Sequence, residues 1–238
     1  MAWEEQTIGE CRLICGDALE VLPTLGPVDA LVTDPPYGKP GGARHGEYEH
    51  RNTRWLGQPL HKQGHALPSK VNSAIDPIWI ALALPLARWA IIWGGNYLPL
   101  PVMPAWLVWD KGTAGDGSDC ELAWTNLAKD SVRRFFYLWN GFRKAHPESR
   151  QHPTQKPVAL LGWCLDQLPS GIQTVLDPFA GSGSLALACI ARGQHAILIE
   201  RDPGYFDYAC RRVEKAYAQP ELPFVAARSV EQLTLVTM

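Results

Sequence analysis

Thr174-Val175-Leu176-Asp177-Pro178-Phe179-Ala180-Gly181-Ser182-Gly183-Ser184 reads as a strand, a tight turn and the opening of a helix. Gly181 and Gly183 let the backbone turn sharply and come close to a ligand. The helix, expected over 182–192, then turns unpaired N–H groups toward a carboxylate or phosphate. The spacing is not G-x-G-x-x-G and no Gly-Lys-Ser/Thr follows, so neither a dinucleotide fingerprint nor a Walker loop fits. The next strand, 196–199, leads to Glu200, an acid where sheets of this kind grip a ribose diol. A tight turn with no ligand is the competing reading.

Working outward, strands alternate with helices. Apolar runs at 11–15, 28–33, 89–93 and 106–110 predict strands, and the 28–33 run (VDALVT) suits a parallel sheet buried on both faces. Residues 134–139 (RFFYLW) are strand-like by aromatic content. Helices are predicted over 18–25, 77–88 (interrupted by Pro85) and 157–168. A last helix starts at Asp202-Pro203, with Asp as cap and Pro in the first turn. It carries Phe206, Ala209, Cys210, Val213 and Tyr217 on one face. This alternation predicts an α/β fold with a doubly wound, mostly parallel sheet in one domain spanning 1–238. Residues 38–75 are Gly/His/Arg-rich and without periodicity, a length that in a compact domain calls for a function.

Directly after the 28–33 strand comes Asp34-Pro35-Pro36-Tyr37. The prolines fix the backbone, so the Asp34 carboxylate and the Pro35 carbonyl keep one orientation, and Tyr37 supplies a flat aromatic face. The arrangement suits an exocyclic amine. Its two N–H groups donate to the Asp34 carboxylate and the Pro35 carbonyl, its lone pair points at an incoming methyl group, and Tyr37 stacks on the base. A rigid turn with a surface tyrosine is the bland alternative.

Composition sets the outer bounds. The 238 residues, 46% hydrophobic and 19% charged, suit a globular chain with a full core. No apolar run approaches the ~20 residues of a membrane span. The N-terminal residues lack the basic flank and apolar centre of a signal peptide, so a cytoplasmic location is expected. Six scattered cysteines without a C-x-x-C pair read as reduced thiols. The formal net charge of −2 does not announce a nucleic-acid binder, but its distribution does more. Residues 39–76 hold six Lys/Arg against three Asp/Glu, and residues 133–156 hold six against one, which suits a defined anion-binding face. Solvated loops are the competing reading. His45, His50, His61 and His65 match no tight zinc spacing and no cysteine joins them, so no metal is expected.

With these residues in view, the sequence resembles the amino-methyltransferases of DNA in their beta-type circular arrangement. In that family Asp-Pro-Pro-Tyr precedes the cofactor turn, and between them lies His-Pro-Thr-Gln-Lys-Pro, here His152 to Pro157. Cys15-Gly16-Asp17-Ala18-Leu19, Ile92-Trp93-Gly94-Gly95-Asn96-Tyr97 and Trp109-Asp110-Lys111-Gly112 are similar too, so the resemblance runs from Arg12 to Tyr217. It implies a circularly permuted class I S-adenosylmethionine-dependent methyltransferase fold. It also implies methyl transfer to the N6 amine of adenine in duplex DNA, because Asp at the first motif position leans toward adenine and Ser toward cytosine. N4-cytosine transfer is the alternative, and a catalytically silent nucleic-acid-binding module a more distant one.

By that resemblance Asp34, Pro35, Pro36 and Tyr37 are catalytic. Asp17 contacts the cofactor adenine and Glu200 its ribose. Asp177, Phe179, Gly181 and Gly183 line its methionine portion, and Thr154 and Lys156 hold its carboxylate. Asp17 fits equally well as the N-cap of the 18–25 helix, and Lys156 as a solvated lysine at a helix start. Ser184 stands where the family commonly has threonine and keeps the hydroxyl. For DNA contact only 38–75, 111–130 and 140–151 are available. The candidates there are Arg44, Arg51, Arg54 and Lys62 for phosphates and Trp55 for stacking on a displaced base, with a loop anchor as the plain reading of Trp55. A homodimer is compatible with the sequence, which names no restriction partner.

Overall fold

The computed structural model describes residues 3–36, 76–112, 118–128, 130–140, 143–144 and 155–218. In chain order the strands are β1 (Glu4–Ile8), β2 (Cys11–Cys15), β3 (Val28–Thr33), β4 (Ala87–Trp93), β5 (Trp106–Asp110) and β6 (Cys120–Thr125). They continue with β7 (Val132–Phe136), β8 (Trp139–Asn140), β9 (Arg143–Lys144), β10 (Thr174–Asp177) and β11 (His195–Glu200). The α-helices are α1 (Ala18–Val21), α2 (Ile78–Ala83), α3 (Val158–Gln167), α4 (Ser184–Ile190) and α5 (Pro203–Ala218). Nine strands form one sheet in the order β1-β2-β11-β10-β3-β4-β6-β5-β7, and β8 pairs with β9 apart from it. The five strands β2, β11, β10, β3 and β4 run parallel. β1 pairs antiparallel at one edge, and β6 is inserted antiparallel between β4 and β5.

The period of two along each strand sends neighbours to opposite faces, and both faces are buried. Ala30, Val32, Ile91, Trp93, Val175 and Leu198 pack with α3, α4 and α5. Leu31, Ala90, Ile92, Leu176 and Ile199 pack with α1 and α2. This is why β3 reads as a near-continuous apolar run. Its one acid, Asp29, accepts backbone N–H bonds from Gln173 (2.9 Å) and Thr174 (2.8 Å), tying the start of β3 to the start of β10. The doubly wound, mostly parallel α/β sheet is as the sequence predicts.

The boundaries differ where proline and glycine act. The 77–88 helix ends at Ala83, Pro85 sits in a 3-10 turn (Leu84–Leu86), and β4 starts at Ala87. The 18–25 helix likewise passes into a 3-10 turn around Pro23. In both, proline lacks the N–H that an α ladder requires. The 182–192 helix begins only at Ser184, because Gly183 holds φ +72°. β1 and β6 were not anticipated, and β6 takes 120–125 out of the 111–130 stretch expected to be available to DNA. On α5, Phe206, Ala209, Cys210 and Val213 are buried and Tyr217 is packed beside them, as its periodicity predicts. All six cysteines are unpaired, four of them buried. Among the described residues no helix is long and apolar enough to cross a membrane.

Candidate active site

Because β2, β11, β10, β3 and β4 are parallel, their carboxyl ends share one edge of the sheet. That edge collects four acids: Asp17 after β2, Glu200 ending β11, Asp177 ending β10 and Asp34 after β3. In open α/β sheets the crevice at this edge is where ligands bind.

The glycine turn is held from three sides. Glu200 accepts the Gly181 N–H through Oε2 (2.8 Å) and the Asp202 N–H through Oε1 (2.9 Å). Asp177 Oδ1 accepts the Phe179 N–H at 3.0 Å and the Thr33 hydroxyl at 2.7 Å, so the turn is bonded directly to the last residue of β3. Arg212 of α5 donates to the Ser182 carbonyl (2.7 Å) and reaches the Ser182 and Ser184 hydroxyls. Phe179 sets its ring edge against Trp79, with centroids 5.1 Å apart. A Cβ on Gly183 would meet the Ala209 Cβ at 2.9 Å, so this glycine permits close packing on α5 as well as the turn. Arg212 was not anticipated; its only sequence signal is a cation on α5 beside the buried Val213.

Burial governs the charges here. It raises the Asp177 carboxyl to about 7, against the pull of Thr33 and the Phe179 N–H and with the help of Asp34 and Glu200. It raises Glu200 above the ordinary carboxylate range as well, opposed by the two backbone donors. Asp17 accepts the Leu19 N–H at 2.8 Å, so the capping role that the sequence offers is realised. Each carboxylate has about four lone-pair sites, so these bonds leave acceptor capacity for a ligand.

Around Asp34 the surroundings are ionic. Lys156 Nζ lies 2.5 Å from Asp34 Oδ2 and 3.0 Å from Glu121 Oε2, and Lys111 Nζ lies 2.5 Å from Glu121 Oε1. The Lys156–Glu121 contact is an ion pair without hydrogen-bond angles at Oε2. The Lys156 side chain is only 9% exposed and its ammonium stands 5.8 Å from the Trp93 ring centroid. The solvated-lysine reading of Lys156 is therefore replaced by a buried ion pair with Asp34. Burial raises the Asp34 carboxyl, Lys156 opposing and Glu121 reinforcing it. Burial would raise Glu121 too, but Lys156 and Lys111 outweigh it and bring it down to about 2. Asp34 Oδ1 is buried and makes no hydrogen bond among the described residues. A buried acceptor left unpaired costs about 1–3 kcal/mol, so this oxygen is prepared for a donor.

Pro35 and Pro36 follow Asp34 at the same edge. Tyr37, Thr154, Arg44, Arg51, Arg54, Trp55, Lys62 and the four histidines of the 38–75 stretch lie outside the described residues. Trp93 and Trp109, expected in the core, are buried and meet edge to face with centroids 6.4 Å apart. Glu121 was missed because no element is predicted within 111–130, a stretch given only to DNA contact. An acid in the strand-like run Glu121-Leu122-Ala123-Trp124 was the available signal.

The sequence model of the N6/N4 DNA methylase family matches residues 117–211. The DNA adenine methyltransferase YhdJ of Escherichia coli K12 is 38% identical over 89 residues, which is 37% of this chain and 30% of that relative. The type II methyltransferase M.HpaI of Haemophilus parainfluenzae is 26% identical over 249 residues, 87% of this chain and 75% of the relative. The chain thus spans less than a third of YhdJ in that match and three quarters of M.HpaI. Among solved structures the M1.HpyAVI–SAM complex superposes with a TM-score of 0.53 at 22% identity, covering 85% of this chain and 99% of that one, which is a likeness of fold.

Proposed function

We propose that the chain is an amino-DNA methyltransferase, transferring a methyl group from S-adenosylmethionine to an exocyclic amino nitrogen of a DNA base, the N6 of adenine. The observation that carries this reading is Asp34 Oδ1, buried, unpaired and fixed at the end of β3 beside the glycine turn of β10. The order along the chain, with the Asp34 strand ahead of the glycine-turn strand, supports the circularly permuted reading of the fold.

The donor set fits a cationic, ribose-bearing cofactor. Glu200 and Asp17 offer acceptors for hydroxyl and amino groups, Phe179 offers an apolar surface, and Asp177 offers a negative charge that a cation would stabilise. When bound, the cofactor supplies an electrophilic methyl group on a good leaving group. The protein's own contribution is alignment and charge stabilisation. Asp34 Oδ1 and the Pro35 carbonyl accept the two amine N–H bonds and orient the nitrogen lone pair. As positive charge develops on nitrogen, the Asp34 carboxylate lies next to it, and its raised pKa suits it to receive the departing proton. Tyr37 stacks on a base flipped out of the duplex. Arg44, Arg51, Arg54, Lys62 and Trp55 hold the DNA.

Adenine is favoured by aspartate at the first motif position and by the activity named for YhdJ. Duplex DNA incubated with the chain and S-adenosylmethionine, digested to nucleosides and analysed by mass spectrometry, is expected to contain N6-methyladenine. N4-methylcytosine would overturn the choice of base, and absence of any methylated base would overturn the reading.

A further inference from the structure

We propose that Glu121 is a positioning residue for methyl transfer, sharing the Lys156 ammonium with Asp34 so that Oδ2 stays engaged and Oδ1 is left to the amine. The inference rests on the function proposed above and names a residue that neither the motifs nor the glycine turn include. Four charges alternate across four elements: Lys111 after β5, Glu121 on β6, Lys156 ahead of α3 and Asp34 after β3. They sum to zero, which offsets part of the desolvation that each would suffer alone. The three charged groups besides Asp34 are 9–23% exposed at the side chain, too enclosed for solvent to replace a lost partner.

A lysine ammonium is a point charge with three donors on a flexible four-carbon stem. Without Glu121 it would pair more strongly with Asp34 and weaken it as an acceptor. Glu121, 3.0 Å away on the neighbouring antiparallel strand, draws part of that charge. Trp93 on β4 backs the ammonium at 5.8 Å and limits where it can move. Glu121 is in turn held by Lys111 at 2.5 Å, so the anchor is itself anchored. The consequence is an Asp34 that keeps a basic, unshared oxygen although a cation touches the other. The charged groups facing Asp34 are Lys156, Glu121, Lys111 and, from β10, Asp177. Glu121 pushes the Asp34 proton affinity up, and the two lysines push it down; Asp34 in turn raises Asp177.

The two sides of the network therefore predict opposite signs. The test uses the full chain with duplex DNA and S-adenosylmethionine, following the Asp34 carboxyl by carbon NMR titration and kcat against pH. Glu121→Gln removes a like charge and shifts the Lys156 ammonium toward Asp34. The Asp34 titration and the acid limb of kcat move to lower pH, and kcat above the limb falls about tenfold. KM for the cofactor stays within about twofold, since uniform binding is untouched. Lys156→Gln moves the same limb to higher pH. Glu121→Asp, which keeps the charge and withdraws it from Lys156, moves both readouts as Gln does but by less, and serves if the Gln variant does not fold. An Asp34 titration unmoved in folded Glu121 variants, or moved in the direction of Lys156→Gln, overturns the inference while wild-type activity leaves the proposed function standing. A wild-type chain that transfers no methyl group overturns both.

Discussion

At the scale of single residues, the half-buried Asp34 and the buried Asp177 are acids with different surroundings. Asp34 has one oxygen on Lys156 and one unpaired. Replacing it by alanine would take a carboxylate away from the largely buried Lys156 and mix a stability loss into the kinetics, so asparagine is the cleaner change. Asp34→Asn is expected to keep the fold and cofactor binding and to lose about 10²–10³ in kcat, the usual cost of removing one preorganised group at a developing charge. Single-turnover methyl transfer measures it, and wild-type rates in the variant would refute the role. Asp177 is held near 7 by burial. Between its unfolded value of 3.8 and about 7 the folded chain retains a proton that the unfolded chain has lost, so its contribution to stability falls as pH rises through that window. A bound sulfonium favours the ionised form. Affinity for S-adenosylmethionine is therefore expected to rise through about pH 7 more steeply than affinity for S-adenosylhomocysteine, which lacks that charge. Calorimetry on either side of that pH measures the difference, which should vanish in Asp177→Asn. Both acids were legible in the sequence because each sits in a turn with its own local signature. Glu121 and Arg212 were not, since Lys156 stands 35 positions from Glu121 and Ser182 30 from Arg212, and only the topology brings them together.

At the scale of elements, the glycine turn shows how a local motif depends on a distant helix. Gly183 was read as giving a ligand room, yet its missing Cβ leaves space for Ala209 of α5. Gly183→Val is thus expected to destabilise the whole chain and not the cofactor site alone. A left-handed conformation costs an L-residue about 1–2 kcal/mol, and forcing atoms into a packed contact typically adds about 1–3 kcal/mol. Urea unfolding without cofactor should show a clear drop in midpoint; an unchanged midpoint would mean α5 yields and the turn is not clamped. The element types were largely legible from periodicity, since β3, α3 and α5 carry their patterns within themselves. β6 was not, because an antiparallel strand flanked by stretches rich in Gly, Asp and Asn looks like part of a loop until β4 and β5 pair on either side of it.

At the scale of the whole molecule, the parallel strands gather the candidate site acids at one edge, while the excess of Lys and Arg falls in the runs 39–76 and 133–156 of a chain whose net charge is −2. The site edge itself is acidic, carrying Asp17, Asp34, Asp177 and Glu200 against Lys156 and Lys111. Such an edge suits a cationic cofactor and repels a phosphate backbone, so DNA must be held by charges outside it. Arg51, Arg54 and Lys62 are the candidates of the 38–75 stretch. Neutralising all three with glutamine is expected to weaken duplex binding and to flatten its dependence on salt. Each phosphate contact releases condensed counterions and contributes about 0.9 to the log–log slope, so losing three contacts lowers that slope by about 2.7. Cofactor affinity should not change, because none of the three is among the residues assigned to the cofactor. Fluorescence anisotropy of a labelled duplex over a salt series, paired with calorimetry of the cofactor, measures both. A slope equal to that of the wild type would remove the stretch from the DNA interface and transfer the task to 133–156. There Arg133 and Arg134 stand exposed on β7, at the edge of the sheet.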